Sequence, residues 1–295
     1  MIVLDIVYTQ TWRMAMKLGC NLSEELFELL NEKKVSIDYM KLCMGELFEP
    51  YLERASAYKP LMVHYLDHSE RTTMPDVEAV DFDRINRFIK DCASPITGLH
   101  CFLEEEDFDH EPTDEEAIQR MKSVIHTFKQ KLNVPLVIEN YPYSTYYESR
   151  GNLKLTGKPS LFHELCESCD INMILDIGHA RVTADHYQLP LEAYLTTFPL
   201  HRVVELHLNG VIKDNHGTRD GHEEMKEEDY LITKWLFNHC HNLEYVTLEY
   251  GGIGPKLAER SKISAIERQL TRLRRMMDEH EQKSRSGENI KHSVG

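Results

Sequence analysis

The chain has 295 residues, enough for two domains or for one α/β barrel of the usual size of about 250 residues. Acidic residues outnumber basic ones, 49 against 34, for a formal net charge of −15; this argues against a nucleic-acid partner, because phosphate neutralisation needs clustered Lys and Arg. Hydrophobic residues make up 41% of the chain, which supplies a sizeable core, yet no window approaches the roughly 18 consecutive apolar residues of a membrane span.

The chain opens on MIVLDIVY, which lacks a basic leader and carries Asp5, so it reads as a strand rather than a signal peptide. The 7 cysteines form an odd set without small-scaffold spacing, which fits a reducing compartment and a cytoplasmic protein. In chain order the expected strands are Ile2–Tyr8, Val35–Cys43, Pro60–Leu66, Ile96–Phe102, Pro135–Asn140, Asn172–Ile177, Arg202–Leu208 and Tyr245–Tyr250. Amphipathic segments alternate with them. Those expected as helices are Ser23–Asn31, Gly45–Ala57, Phe82–Cys92, Thr113–Leu132, Ser160–Cys169, Leu191–Thr197, Lys226–Asn238 and Ala265–Glu281. Ser23 is a candidate N-cap, and Thr113-Asp114-Glu115-Glu116 is a capping-box pattern. Strict β/α alternation predicts a closed (β/α)8 barrel, an α/β TIM barrel in one domain over residues 1–283, followed by a polar, disordered tail at 284–295.

Histidines and carboxylates recur where the expected strands end. His64 lies in PLMVHYL, His100 in ITGLHCF, Glu139 in VPLVIENY, Asp176 in MILDIGHA, His207 in VVELHLNG and Glu249 in VTLEYGG. His179, Asp220 and His222 fall in the loops expected just beyond. Burying such groups in apolar runs is costly unless a partner or a metal compensates. In a (β/α)8 barrel the strand C-termini meet at one mouth, so all nine residues are expected to converge there as metal ligands. Asn140 and Asn209 are candidates to support them by hydrogen bonding, as is His68, for which a solvent-facing loop position is the simpler reading.

Imidazole and carboxylate donors without thiolate suit iron, manganese or zinc. Glu139, Asp176, Asp220 and Glu249 carry four negative charges, which balance two divalent ions, or three if an anion joins them. Cys166-Glu-Ser-Cys169 has CxxC spacing but falls on an expected amphipathic helix, where a pair of structural thiols is the simpler reading. Tyr141, Tyr143, Tyr146 and Tyr147 follow Glu139 and read as a loop packed over the mouth.

The spacing of these nine residues resembles the trinuclear site of the endonuclease IV and xylose isomerase-like TIM-barrel superfamily. The wording around them is closer to the multinuclear non-haem iron-dependent oxidases, the family of the methanobactin-biosynthesis oxidase. The pieces that carry this likeness are IENYPY, LEAYLTTFPLHRVVELHLNG and VTLEYGG, within a stretch from about Ile37 to Gly252. At Asp176-Ile-Gly-His179 the chain departs from many of those oxidases, which carry asparagine in place of the histidine. The resemblance implies two or three iron ions (Fe2+/Fe3+), with zinc or manganese as alternatives. It also implies an oxidoreductase that uses dioxygen to modify a cysteine-containing ribosomal peptide, which a separate partner protein could deliver. The alternative it leaves open is a metal-dependent phosphodiesterase of the AP-endonuclease type, or a sugar isomerase or epimerase.

Overall fold

Alternation along the strands decides which side chains fill the barrel and which face its helices. The computed structural model describes residues 15–66, 71–254, 257 and 260–286. Its strands are β1 Lys17–Asn21, β2 Tyr39–Met44, β3 Leu61–Leu66, β4 Thr97–His100, β5 Leu136–Glu139, β6 Asn172–Asp176, β7 Val203–Leu208, β8 Gly210–Asp214, β9 Gly217–Glu223 and β10 Tyr245–Leu248. Eight of them form one parallel sheet in the order β3-β2-β1-β10-β7-β6-β5-β4, while β8 and β9 make a separate antiparallel hairpin. The seam between β3 and β4 completes a nearly closed TIM barrel. It is crossed by a parallel bridge between Arg71 and His100 and flanked by the Val63 amide, which donates to Ser94 Oγ at 2.9 Å.

Strands expected from Val35–Cys43 to Tyr245–Tyr250 are present with shifted ends. The strand that pairs with both β10 and β2 is Lys17–Asn21, which the sequence reading passed over; the run Ile2–Tyr8 lies outside the described residues, as does His68. KLGCN carries Gly and Asn, which are poor strand formers on local propensity. Tertiary packing explains it: a Cβ at Gly19 would stand 2.1 Å from the Tyr39 ring, so glycine makes room for an aromatic inside the barrel.

The helices begin where their caps are. Ser23 Oγ accepts from the Leu26 amide at 3.1 Å, opening Glu24–Asn31. Thr113 and Glu116 complete the capping box of Asp114–Lys131, where the Glu116 amide donates to Thr113 Oγ1 at 3.2 Å and the Thr113 amide donates to Glu116 Oε2 at 2.8 Å. Thr113→Ala is expected to cost about 1 kcal/mol in urea unfolding; an unchanged midpoint would mean the box adds nothing. The helix expected over Gly45–Ala57 is instead a 3-10 turn, Glu49–Tyr51, running into Leu52–Ser56, with Pro50 in its first turn. The C-terminal helix is Ile263–Arg285, longer than expected, and buries Ile266, Leu270, Leu273 and Met277. It therefore reaches into the stretch expected as a tail, whose residues from 287 onward lie outside the described ones. Among the described residues no helix is long and apolar enough to cross a membrane.

Inside the barrel the side chains stack in layers that become polar toward the strand C-termini. The floor is apolar, with Tyr39, Met62 and Tyr245 packed together and Val137, Ile174 and Val204 beside them. Lys41, Glu205 and Thr247 come next, each two residues further along its strand than a floor position or paired across to one. Two residues on again lie His207 and Glu249, level with His64, His100, Glu139 and Asp176. This gradient places the polar cluster at the mouth of the barrel.

Candidate metal centre

Glu139 lies at the middle of the cluster. Its Oε1 is 2.9 Å from His207 Nδ1 and 3.7 Å from His179 Nδ1, and its Oε2 is 3.0 Å from His64 Nε2 and 3.5 Å from His100 Nε2. His207 Nδ1 also lies 3.3 Å from Glu249 Oε1 and 4.0 Å from Asp176 Oδ2. Three groups of donors, each within 4.8 Å, result: His64, Glu139 and His207; Glu139, Asp176 and His179; Asp176, His207 and Glu249. The other three expected residues join at the edge. His100 reaches Glu139, Asp220 Oδ2 lies 3.7 Å from His179 Nε2, and His222 Nε2 lies 3.2 Å from Asp220 Oδ2 and 3.9 Å from Glu249 Oε2.

Local sequence explains how Asp176 and His179 are held. Asp176 ends β6 and caps the helix Ile177–His186 that follows at once, its Oδ1 accepting from the His179 amide at 2.6 Å. His179 is thus helical rather than in a loop as expected. Its Nδ1 donates to the Asn140 carbonyl at 2.8 Å, which leaves the Nε2 lone pair aimed toward Asp220. Asn140 also pairs with the Asp176 backbone in both directions, at 2.8 and 2.9 Å, and Asn209 Nδ2 donates to Asp176 Oδ2 at 2.8 Å. Gly178 makes this possible, because a Cβ there would stand 1.9 Å from Asn209 Oδ1.

Asp220 and His222 are on β9, not in a loop. The register slips between Gly210 and Val211, so that Gly221 and His222 bulge out of the hairpin. His222 takes a φ of 46°, left-handed backbone that costs a non-glycine residue of order 1–3 kcal/mol. Gly221 has no room for a side chain, since its Cβ would lie 2.3 Å from Ile212 Cγ1. The bulge re-aims His222 toward Asp220 and Glu249.

Burial and charge act against each other across the cluster. Burial opposes charge on His207, yet Glu139 and Glu249 outweigh it and raise its pKa to about 10; His222 is raised to about 9 in the same way, chiefly by Asp220. Burial lifts Asp176 to about 6 against the pull of His179, with Glu249 and Glu139 adding to the rise. His64 is driven down to about 4 by burial and by Lys41. Four carboxylates gathered at a buried mouth draw positive charge, which protonated histidines or metal cations can supply. The donor set fits cations of the iron, manganese and zinc class, and His64 keeps an Nδ1 with no hydrogen-bond partner.

The family of RiPP precursor modification enzymes MbnB/TglH/ChrH matches residues 17–262. The chain belongs to this family. RiPPs are ribosomally made peptides modified after translation, so this MbnB/TglH/ChrH-family chain is an enzyme whose substrate class is a peptide. Solved structures of the same fold include an L-ribulose 3-epimerase, with a TM-score of 0.58 and 11% identity, covering 94% of this chain and 99% of that one. The IOLI protein with a bound zinc atom aligns at a TM-score of 0.55 and 13% identity, over 87% of this chain and 96% of that one. A xylose isomerase-like TIM barrel/4-hydroxyphenylpyruvate dioxygenase fusion protein aligns at 0.54 and 11% identity, over 95% of this chain and 46% of that one. These likenesses show the TIM-barrel fold and nothing finer. No curated protein matches the sequence.

This MbnB/TglH/ChrH-family barrel also carries a buried ion pair beneath the cluster that the sequence reading missed. Lys41 Nζ donates to Glu205 Oε1 at 2.6 Å and touches His207 Nε2, and the two side chains are only 3% and 1% exposed. Glu205 Oε1 lies 3.2 Å from His207 Nε2 and accepts from Thr247 Oγ1 at 2.6 Å; Thr247 is in turn 2.7 Å from the Tyr39 hydroxyl. Glu205 thus holds the Nε2 edge of His207 and leaves Nδ1 facing Glu139 and Glu249. A charge inside an apolar run, as in DYMKLCM and VVELHL, was the available signal. Cys166 is fully buried and its thiol is pushed up to about 12 by that burial, in keeping with the structural reading of the CxxC spacing.

Proposed function

We propose that the chain is a multinuclear iron-dependent oxidase that uses dioxygen to modify a cysteine-containing ribosomal peptide. The observation that carries this reading is the sharing of Glu139, Asp176 and His207 among the three donor groups, since shared ligands draw ions into one centre rather than separate sites. In this reading His64, His100, Glu139, Asp176, His179, His207, Asp220, His222 and Glu249 hold two or three ions. Iron there supplies a one-electron couple for reducing dioxygen while the peptide is oxidised. The protein's own part is positional. Asn140 and Asn209 orient Asp176, Glu205 orients His207, and the helix-borne His179 and hairpin-borne His222 close the outer side of the cluster. Burial of Glu139, Asp176 and His207 keeps bulk water from the inner donors.

Protein produced anaerobically in iron-rich medium is expected to contain two to three iron ions per chain. Given a cysteine-containing precursor peptide encoded beside its gene, it should consume oxygen, and zinc substitution should stop the reaction. One ion per chain or fewer would remove the multinuclear reading. A zinc or manganese form that cleaves a phosphodiester or epimerises a sugar without oxygen would replace the oxidase with a hydrolase or isomerase.

A further inference from the structure

Beside the cluster opens a cavity of about 370 Å³ whose lining includes Tyr141, Tyr146, Tyr147, Arg150, Asn152 and Asp220. Its aromatic wall is continuous. Phe102 and Tyr141 rings lie 4.4 Å apart, Tyr141 and Tyr147 6.0 Å, and Tyr146 and Tyr147 5.2 Å. At its inner end the Asp220 amide donates to the Tyr147 hydroxyl at 3.2 Å, while the Asp220 carboxylate faces His179 and His222. The Tyr141 ring is 5.6 Å from that of His179. Whatever fills the cavity therefore reaches the proposed ligands directly.

The charged groups around the cavity are mostly committed. Arg219 pairs with Asp214, and Glu104 with Arg71. Arg150 is different: its guanidinium lies 4.6 Å from the Tyr146 ring centroid, and among the described residues it has no carboxylate partner. A planar cation set in an aromatic wall matches a ligand that offers a carboxylate. A peptide offers one at its chain terminus or at an acidic residue. Glu104 and Asp220 on either side of the cavity oppose a polyanion, so a single carboxylate fits better than a phosphate-rich ligand.

We propose that this cavity anchors the substrate peptide through a carboxylate, terminal or side-chain, paired with Arg150 beside the aromatic wall. The neighbouring residue of the peptide is thereby presented past Asp220 to the cluster. The inference rests on the peptide-modifying reading of the site and adds what part of the peptide is recognised.

The test uses the metal-loaded full-length protein and short cysteine-containing peptides in matched pairs: free C-terminal acid against C-terminal amide, and, in the amide series, Asp against Asn beside the cysteine. Dissociation constants are measured by calorimetry without oxygen. One member of a pair is expected to bind about tenfold more tightly than its neutral twin. Preference for the free acid assigns the terminus, and preference for Asp assigns the side chain. Arg150→Gln should bring the ratio to about one, whereas Lys154→Gln, at an exposed residue outside the cavity lining, should leave it unchanged. Equal binding within both pairs, a ratio that survives Arg150→Gln, or no binding of any peptide at millimolar concentration would each overturn the proposal. Because the readout is binding and not oxygen uptake, an active oxidase whose peptide affinity ignores Arg150 would lose this anchor and keep its proposed reaction.

Discussion

Lys41→Met is expected to destabilise the barrel by roughly 3 kcal/mol at pH 7, because it removes the nearest cation from the interior Glu205 and leaves it only His207 and the Thr247 hydroxyl. Both side chains are nearly inaccessible, at 3% and 1%, so water cannot replace the lost partner. Burial by itself would raise the Glu205 carboxyl, but Lys41 and His207 outweigh it and hold the group below the ordinary carboxylate range. A carboxyl depressed on folding contributes stability that is complete above its unfolded pKa of about 4.3 and lost as pH falls through the folded value. The deficit of Lys41→Met should therefore be full at neutral pH and shrink in acid, where Glu205 takes up a proton in the variant while the wild-type carboxylate still resists it. The double variant Lys41→Met/Glu205→Gln should recover at least half of the loss, since a neutral amide can still accept from Thr247. Urea unfolding from pH 3 to pH 8 measures all three. A single-variant loss under 1 kcal/mol, or no recovery in the double variant, would show that the pair is not an interior charge couple.

Glu139→Gln should reduce bound metal more than any other single carboxylate change. Glu139 belongs to two of the three donor groups and lies within 4 Å of four histidines, His64, His100, His179 and His207. The substitution keeps the shape and removes one charge, so the barrel should remain folded by circular dichroism while metal content falls to one ion per chain or fewer. Glu244→Gln is the matched control, because Glu244 is exposed and lies just before β10, away from the mouth. Equal metal content in the two variants would take Glu139 out of the ligand set.

The proposed ligands were legible because their chemistry contradicts their surroundings. His64, His100, Glu139, Asp176, His207 and Glu249 each interrupt an apolar run near the end of a strand, and the structure brings them to one mouth. The support from Asn140 and Asn209 could also be expected, since each follows its ligand-bearing strand directly. The β9 hairpin was not legible. RDGH looks like loop sequence, and only the pairing of Asp220 with Val211 and the bulge at Gly221 and His222 turn it into a strand that faces the cluster.

Sequence alone determined the alternation of strands and helices, the caps at Ser23 and Thr113, and the identity of the residues that crowd the mouth. These are local matters: a period of two or of 3.6 residues, a hydroxyl before a first turn, a charge where an apolar residue is expected. Only the tertiary structure decided that Lys17–Asn21 is a barrel strand, that Lys41 meets Glu205 across 164 positions of chain, and that Arg150 and Asn152 face the same cavity as Asp220. Which interior side chains become partners depends on which strands are neighbours and in what register, and closure of the sheet sets both through contacts far apart in sequence.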